Sequence, residues 1–267
     1  MRSIKEMSSL QGRTALITGG AGYLGRTFGE TLAELGASVA LADRHGDAAQ
    51  KAAANLEKNY GIKALGIEID LADHYSRCLL PGEVAKQLGG LDILINAAGF
   101  VQTDDLKGWT VPFEEQRVET WRAALEVNLT APFFLTQAAL PWLRASKKGT
   151  VINITSLYAF LGPDMRLYAD TEMGNAGGYS ASKGGLLQIT RWLATVLAPD
   201  VRVNCVSPGG VWRNQPESFV KRFESRTPMQ RMQTEEDLKG IIAYLASDMS
   251  QYVTGQHIPV EGGLSAW

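Results

Sequence analysis

The sequence predicts a single-domain α/β protein, residues 1–267, with a doubly wound parallel sheet covered by helices on both faces. Three observations support this prediction. Short apolar runs rich in β-branched residues alternate with helical patterns along the chain, which is typical of β-α-β units. A glycine-dense turn separates the first apolar run from a helix. No repeat, linker or change in composition divides the chain.

The first apolar run, 14–18, predicts a buried strand. The helix after it has apolar side chains at Phe28, Leu32 and Leu35 and ends at Gly36. By the same criteria, further strands are predicted over 38–42, 64–69, 92–95, 150–155, 201–206 and 256–260. Further helices are predicted over about 47–60, 75–88, 115–129, 132–143, 179–197 and 234–245.

Three segments lack these patterns and are predicted as loops: 100–114, 162–178 and 212–227. The last two are polar and long for connections, so we predict that they are substrate loops. Right-handed crossovers bring the C-terminal ends of parallel strands to one edge of the sheet. A ligand is expected at that edge, beside Gly20, Asp43, Asp70 and Asn96.

The glycine-dense turn is suited to binding a dinucleotide. Gly20, Gly22 and Gly25 form a G-x-G-x-x-G pattern between a strand and a helix, where the backbone can approach a pyrophosphate. Asp43 follows about 20 residues later, where a carboxylate can accept hydrogen bonds from a ribose diol. A carboxylate also repels a 2′-phosphate, so NAD is predicted. Arg44 could instead bind that phosphate, which leaves NADP as the alternative.

The composition points away from several other classes of partner. The net charge is −2 and 20% of the residues are charged, with no basic cluster for nucleic acid or an anionic membrane surface. The N-terminal residues lack the apolar region of a signal peptide, and no apolar run would span a bilayer, so a cytoplasmic protein is expected. No metal site is expected, because His45, His74 and His257 are scattered.

Tyr179 and Lys183 are the candidate reactive pair. At positions i and i+4 of a predicted helix, they share one face. A tyrosine pKa of about 10 is too high for proton exchange near neutral pH, and an adjacent ammonium favours the phenolate. Lowering that pKa to about 7 requires roughly 4 kcal/mol, which needs Lys183 and a cofactor charge. Ser156, at a strand end, could bind the reacting oxygen.

Together these residues resemble the short-chain dehydrogenase/reductase family, a Rossmann-fold family, over residues 10–263. The motifs that carry the resemblance are Thr18–Gly25, Asp70-Leu71, Asn96–Gly99, Asn128, Ser156, Tyr179-x-x-x-Lys183, Asn204, Pro208-Gly209, Val253–Gln256 and Val260–Gly263. The resemblance implies an NAD(P)-dependent oxidoreductase that interconverts a secondary alcohol and a ketone. Tyr179 would be the general acid/base, while hydride passes to or from the nicotinamide.

Further roles follow from the same resemblance. Lys183 would lower the pKa of Tyr179 and bind the nicotinamide ribose, Ser156 would orient the reacting oxygen, and Asn128 would support a water-mediated proton relay. The implied cofactor-binding residues are Gly19, Gly22, Tyr23, Leu24, Gly25, Asp43, Arg44, Asp70, Leu71, Asn96, Ala97, Ala98, Gly99, Tyr179, Lys183, Pro208, Gly209 and Val211. Two helices, 132–146 and 179–197, would form a homotetramer or a homodimer.

Three departures from the family pattern stand out. Tyr23 replaces the middle glycine of the shorter branch, giving a spacing typical of the extended branch. Arg213 stands where a threonine often contacts the cofactor amide, and the interval from Ser156 to Tyr179 is longer than usual.

The polar loops predict a polar substrate, such as a sugar or sugar derivative. The candidate substrate residues are Tyr158, Arg166, Tyr168, Arg213 and Asn214. Two alternative functions stay open. The chain could be a nucleotide-sugar epimerase or dehydratase that recycles bound NAD, or a non-catalytic NAD-binding sensor.

Overall fold

The computed structural model describes residues 1–100 and 106–267. Its strands are β1 (Thr14–Thr18), β2 (Ser38–Asp43), β3 (Ala64–Glu68), β4 (Ile93–Asn96), β5 (Gly149–Ile154), β6 (Val201–Pro208) and β7 (His257–Val260). They form a parallel sheet in the order β3-β2-β1-β4-β5-β6-β7. The strand order reverses at β1, which pairs with β2 on one side and β4 on the other. This reversal leaves a crevice at the carboxyl ends of the strands. The predicted doubly wound α/β fold is confirmed.

The helices are α1 (Ile4–Ser8), α2 (Tyr23–Glu34), α3 (Gly46–Tyr60), α4 (His74–Leu88), α5 (Val118–Leu125), α6 (Ala131–Ala145), α7 (Gly177–Leu197), α8 (Glu217–Arg226) and α9 (Lys239–Ala246). A π-helical turn, Glu126–Thr130, joins α5 to α6. Of the predicted 100–114 loop, residues 101–105 lie outside the described residues, and Phe113–Glu115 forms a single helical turn.

Both faces of the sheet are buried, because neighbouring residues of each strand pack on opposite helix layers. On β1, Ile17 belongs to the core that contains Phe28 of α2 and Ile242 of α9. The adjacent Leu16 belongs to the core formed with Leu135 of α6 and Leu193 of α7. Full burial of one such side chain contributes about 1.5–3 kcal/mol. The near-continuous apolar strands of the sequence follow from this two-sided burial.

The two polar segments that the sequence assigns to loops are more ordered than predicted. Residues 217–226 form α8, with Phe219 and Phe223 buried on one face. In the other segment, Met165–Tyr168 forms a helical turn and the Tyr168 ring lies 5.4 Å from that of Phe219. The loop prediction is therefore wrong for Glu217–Arg226. Phenylalanines at i and i+4 give α8 an apolar face, which packs on the other segment.

Two features are absent from residues 1–100 and 106–267. No helix there has the length and apolarity that a membrane crossing requires. No three His, Cys, Asp or Glu side chains there lie close enough together to hold a metal ion.

Candidate active site

The glycine turn between β1 and α2 is packed too tightly for larger residues at three positions, Gly19, Gly20 and Gly25. A Cβ atom on Gly25 would lie 2.1 Å from the backbone oxygen of Gly19. Gly19 has a φ of +66°, and its Cβ would lie 2.8 Å from Cα of Ala98. The turn therefore holds the start of α2 against the end of β1. The first N–H groups of α2 have no partner within the helix, and they belong to residues that line the cavity described next.

A cavity of about 420 Å³ lies against this turn at the carboxyl ends of β1, β2, β3 and β4. Most of the predicted cofactor-binding residues line it: Gly19, Gly22, Tyr23, Leu24, Gly25, Asp43, Arg44, Asp70, Leu71, Ala97, Ala98 and Gly99. A glycine cradle, a helix N-terminus and a carboxylate at the end of β2 are the features that a bound dinucleotide requires. The residues present fit that group.

Several predicted cofactor residues lie elsewhere. The Asn96 side chain is buried in the sheet and donates to Oδ1 of Asn153 over 2.8 Å. Gly209 lines a smaller cavity of about 190 Å³, shared with Glu261. Val211 pairs with Gln233 through its backbone.

Some residues that line the 420 Å³ cavity are not predicted from the sequence. Five further residues line it: Ala42, His45, Ile69, Phe100 and Val127. All five adjoin predicted strand ends or motif residues, and this adjacency is the signal that the sequence offers.

Asp43 has a structural role as well as a place on the cavity wall. Its Oδ2 atom accepts from the backbone N–H of Ala21 over 3.0 Å, and its Oδ1 atom accepts from that of His45 over 3.1 Å. The carboxylate thus ties the glycine turn to the end of β2. Each carboxylate oxygen can accept a second hydrogen bond, so both remain available to a ribose diol.

Tyr23 and Arg213, two of the departures from the family pattern, are in contact. The Arg213 guanidinium lies 4.3 Å from the centroid of the Tyr23 ring, within cation–π range. It also forms an ion pair with Glu235 over 2.8 Å. Arg213, predicted as a substrate residue, lines the same cavity as the glycine turn.

The reactive pair lies at the N-terminal end of α7. Tyr179 is in its first turn and Lys183 follows one turn later, so the predicted helix and spacing are observed. The Nζ atom of Lys183 lies 6.0 Å from the Tyr179 ring centroid and donates to the backbone oxygen of Ile154 over 2.9 Å. Ser156 lies two residues after the end of β5, and its Oγ atom accepts from the N–H of Tyr158 over 3.2 Å.

Burial dominates the protonation of this pair. It raises the pKa of Tyr179, while the Ser156 hydroxyl beside it acts in the opposite direction. It also lowers the pKa of Lys183 to about 8. Burial is thus the largest influence on the Tyr179 pKa in this structure, and the lowering expected from Lys183 together with a cofactor charge stays a prediction.

Two further phenols lie beside Tyr179. The hydroxyl groups of Tyr158 and Tyr168 form a hydrogen bond of 2.6 Å. Burial raises the pKa of both phenols, and Tyr179 contributes to each shift. Neutral phenols can donate and accept hydrogen bonds. The two other predicted substrate residues are exposed: Arg166 pairs with Asp164, and Asn214 lies in a left-handed turn.

Asn128 lies in the π-helical turn after α5 and is fully buried. Its Oδ1 atom accepts from the N–H of Phe100 over 2.6 Å, and its Nδ2 atom donates to Oγ of Ser182 over 3.0 Å. Because Ser182 precedes Lys183, this side chain links the π-helical turn to α7. Such turns within helices occur often at functional sites.

Comparison with known proteins agrees with this geometry. A family model described as enoyl-(acyl carrier protein) reductase matches residues 20–265. The chain is 32% identical over 260 residues to the 3-oxoacyl-(acyl-carrier-protein) reductase FabG of Aquifex aeolicus, covering 96% of this chain and 98% of the relative. The chain belongs to the short-chain dehydrogenase/reductase family.

Other members of this family match over similar lengths. The trans-4-hydroxycyclohexanecarboxylate dehydrogenase of Sinomonas cyclohexanicum is 32% identical, with 95% of this chain and 93% of the relative covered. A gluconate 5-dehydrogenase of Burkholderia cenocepacia, solved with NADP and tartrate, has a TM-score of 0.87 and 28% identity, over 99% of this chain and 100% of that chain. The chain is accordingly an NAD(P)-dependent short-chain dehydrogenase/reductase that acts on CH–OH groups.

Proposed function

We propose that this enzyme interconverts a secondary alcohol and a ketone on a polar, hydroxyl-bearing substrate, with NAD preferred to NADP. The observation that carries the proposal is the Tyr179–Lys183 pair on one face of α7, with Ser156 beside the phenol. The glycine cradle and its cavity supply the binding site that such a reaction needs. The substrate class and the preference for NAD rest on the contacts described next.

The proposed roles separate the proton from the hydride. The bound nicotinamide supplies the hydride chemistry and, when oxidised, a positive charge. In the reductive direction, the Tyr179 phenol donates its proton to the carbonyl oxygen, and in the oxidative direction the phenolate removes the hydroxyl proton. Ser156 holds that oxygen by a hydrogen bond, which fixes its distance from the phenol.

Lys183 has two proposed roles, one electrostatic and one in binding. Its ammonium is nearly completely buried, at 3% exposure, where a charge acts on the phenol with little screening. Its hydrogen bond to the Ile154 oxygen orients the group, and its other donors can bind a ribose hydroxyl. Asn128 is proposed as a positioning residue that supports the proton relay through its contact with Ser182.

Asp43 is the basis for the proposed preference for NAD. Its carboxylate lies on the cavity wall, fixed by two backbone N–H groups, and would repel a 2′-phosphate at that position. Arg44, which lines the same cavity and is exposed, is the group that would favour NADP. The Burkholderia cenocepacia relative was solved with NADP, so the preference requires a direct measurement.

The proposed polar substrate rests on the phenols beside Tyr179. Tyr158 and Tyr168 form a hydrogen-bonded pair whose burial keeps both neutral, and Asn175 accepts from Oγ of Ser180 nearby. These groups can bind several hydroxyls of one substrate. The Burkholderia cenocepacia enzyme holds tartrate, which carries hydroxyl and carboxylate groups. We infer a sugar, sugar acid or cyclic hydroxy acid as the substrate class.

A substrate screen with both cofactors tests the proposal. Wild-type enzyme is assayed for NADH and NADPH formation at 340 nm with sugars, sugar acids, cyclic hydroxy acids, aliphatic alcohols and steroids. Turnover of polar substrates with NAD is expected. Tyr179→Phe should reduce kcat by at least about 100-fold, because general acid/base catalysis contributes factors of 10²–10⁴.

Tyr168→Phe, the same substitution as in Tyr179→Phe, tests the proposed substrate class. It removes one hydroxyl of the phenol pair and should raise KM for polar substrates while leaving kcat for a small alcohol nearly unchanged. Turnover of steroids or aliphatic alcohols alone would contradict the substrate class. An unchanged kcat in Tyr179→Phe would contradict the mechanism.

The two alternative functions give different results in the same experiment. An epimerase or dehydratase would be purified with cofactor and would show no net formation of NADH. A sensor would bind cofactor and show no turnover. The relatives are named as dehydrogenases and reductases, which favours net oxidation and reduction.

We further propose that the enzyme is a homotetramer, with a homodimer as the alternative. Apolar side chains on α6 and α7 remain exposed: Trp192 is 50% and Val196 is 45% exposed, and Phe133 lies 5.9 Å from the Trp192 ring. Such a patch on a folded chain marks a contact surface. Light scattering at micromolar concentration should show the oligomer, and a monomer would contradict the proposal.

A cytoplasmic location and a single domain over 1–267 complete the proposal. Cell fractionation tests the location. Limited proteolysis tests the domain organisation, and a stable fragment released from either half of the chain would contradict a single domain.

A further inference from the structure

We propose that Tyr23, Arg213 and Glu235 form a clasp across the dinucleotide cavity, in which Arg213 binds the cofactor pyrophosphate. The inference rests on dinucleotide binding by this enzyme and assigns Arg213 to the cofactor instead of the substrate. It makes Tyr23 and Arg213, two departures from the family pattern, a single functional unit.

The clasp joins two parts of the chain that are far apart in sequence. Tyr23 is the first residue of α2, directly after the glycine turn, whereas Arg213 follows β6 by a few residues. The guanidinium stands 4.3 Å from the ring centroid. Two further contacts fix the arginine: an ion pair with Glu235, and a hydrogen bond of 2.6 Å from Nη1 to the backbone oxygen of Trp212.

The position of the clasp explains why the ligand should be the pyrophosphate. Tyr23 and Arg213 both line the 420 Å³ cavity, together with Gly22 and Gly25 of the turn. A pyrophosphate binds where the helix N-terminus and the glycine backbone meet. The guanidinium lies over the ring of Tyr23, the first residue of that helix, and is therefore placed to bind the same charge.

The Arg213 guanidinium has further N–H donors that can bind a pyrophosphate. Its two polar side-chain contacts both involve Nη1, and a guanidinium has five N–H donors. A planar guanidinium is well matched to phosphate oxygens.

The aromatic ring has a specific purpose in this arrangement. A glycine at position 23, as in the family pattern, could not support a guanidinium. Fixing a long side chain over the cavity costs conformational entropy. The attraction between the Arg213 guanidinium and the Tyr23 ring, which is 60% exposed, compensates for part of that loss. The arginine is thereby positioned before the cofactor arrives, which reduces the cost of binding.

The experiment measures NADH binding by fluorescence titration, independently of turnover. Arg213→Gln should raise the Kd for NADH by about tenfold or more, because a hydrogen-bonded charge on the phosphate is lost. It should also weaken the dependence of Kd on ionic strength. Tyr23→Leu, which removes the ring, should raise the Kd by about threefold, and Tyr23→Phe should leave it unchanged.

A second arginine beside the same ring provides a matched control. Arg26 lies 5.5 Å from the Tyr23 centroid but does not line the cavity. Arg26→Gln removes the same charge and should leave the Kd for NADH within twofold of wild type. If Arg213→Gln does not fold, Arg213→Lys replaces it, since a lysine keeps the charge and can pair with Glu235. It should then give an intermediate Kd.

Four results would overturn the clasp. The Kd for NADH could be unchanged in Arg213→Gln, or it could rise equally in Arg26→Gln, which would indicate a general charge effect. A raised KM for substrate with an unchanged Kd for NADH would assign Arg213 to the substrate. Absence of NADH binding by wild-type enzyme would remove the dinucleotide function together with the clasp, whereas the first three results count against the clasp alone.

Discussion

Replacing Lys183 with methionine should stabilise the cofactor-free enzyme while it abolishes activity. The side chain is 3% exposed, and burial lowers its pKa from the ordinary 10.5 to about 8. At pH 7 the folded chain therefore carries a buried charge whose cost is about 3 kcal/mol. Methionine loses the hydrogen bond to the Ile154 oxygen, worth about 1 kcal/mol. The free energy of unfolding should rise by about 2 kcal/mol.

The pH dependence identifies the cause. Between pH 8 and 10.5 the unfolded chain keeps the lysine proton and the folded chain releases it, so the unfolded state binds more protons and wild-type stability rises with pH. Below pH 8 the full cost is present. Because methionine does not titrate, the advantage of Lys183→Met should be largest at pH 7. It should disappear near pH 10, where the remaining cost of burial only offsets the lost hydrogen bond of about 1 kcal/mol.

Urea unfolding at pH 7, 8, 9 and 10 measures this difference. Lys86→Met, at an exposed position of α4, is the control and should change the stability by no more than about 0.5 kcal/mol. A less stable Lys183→Met variant at pH 7, or a difference from wild type that stays constant with pH, would refute the reasoning. Either result would mean that the ammonium is not penalised by its burial.

Three further predictions concern the cavity and the core. Gly25→Ala should destabilise the enzyme by about 1–3 kcal/mol and impair NADH binding, because the added Cβ atom would lie 2.1 Å from a backbone oxygen. Gly240→Ala is the control: its Cβ atom would have no neighbour within 4 Å, so thermal unfolding should show that this variant is tolerated. Asp43→Asn should reduce the ratio of kcat/KM for NAD to that for NADP by about tenfold, and an unchanged ratio would contradict the assignment. Asp248→Asn should reduce unfolding free energy by about 3–5 kcal/mol, because Arg13 is buried against that carboxylate.

The fold and most of the residues that line the 420 Å³ cavity could be predicted from local patterns. Apolar runs that end in Gly19, Asp43 or Asp70 reveal both the strands and the edge where we propose that the cofactor binds, because parallel strands all end at that edge. The i, i+4 spacing of Tyr179 and Lys183 likewise fixes their common helix face.

Contacts between distant segments could not be predicted in this way. Arg213 stacks on Tyr23, but no periodicity in the sequence relates these two residues. Only the folded arrangement of the chain shows that they are in contact. The burial that raises the Tyr179 pKa is also a property of the assembled site. Helix α8 is a different case, because the spacing of Phe219 and Phe223 was present in the sequence but was outweighed by the polar residues around it.

The packing of Tyr168 on Phe219 has a consequence for how this enzyme could acquire new substrates. The insert before α7 and helix α8 share one apolar cluster, so a substitution in either one alters the support of the other. Diversification should therefore proceed through compensating pairs of changes in the two segments. Directed evolution libraries that vary both segments together should yield more folded variants with altered selectivity than libraries that vary one alone.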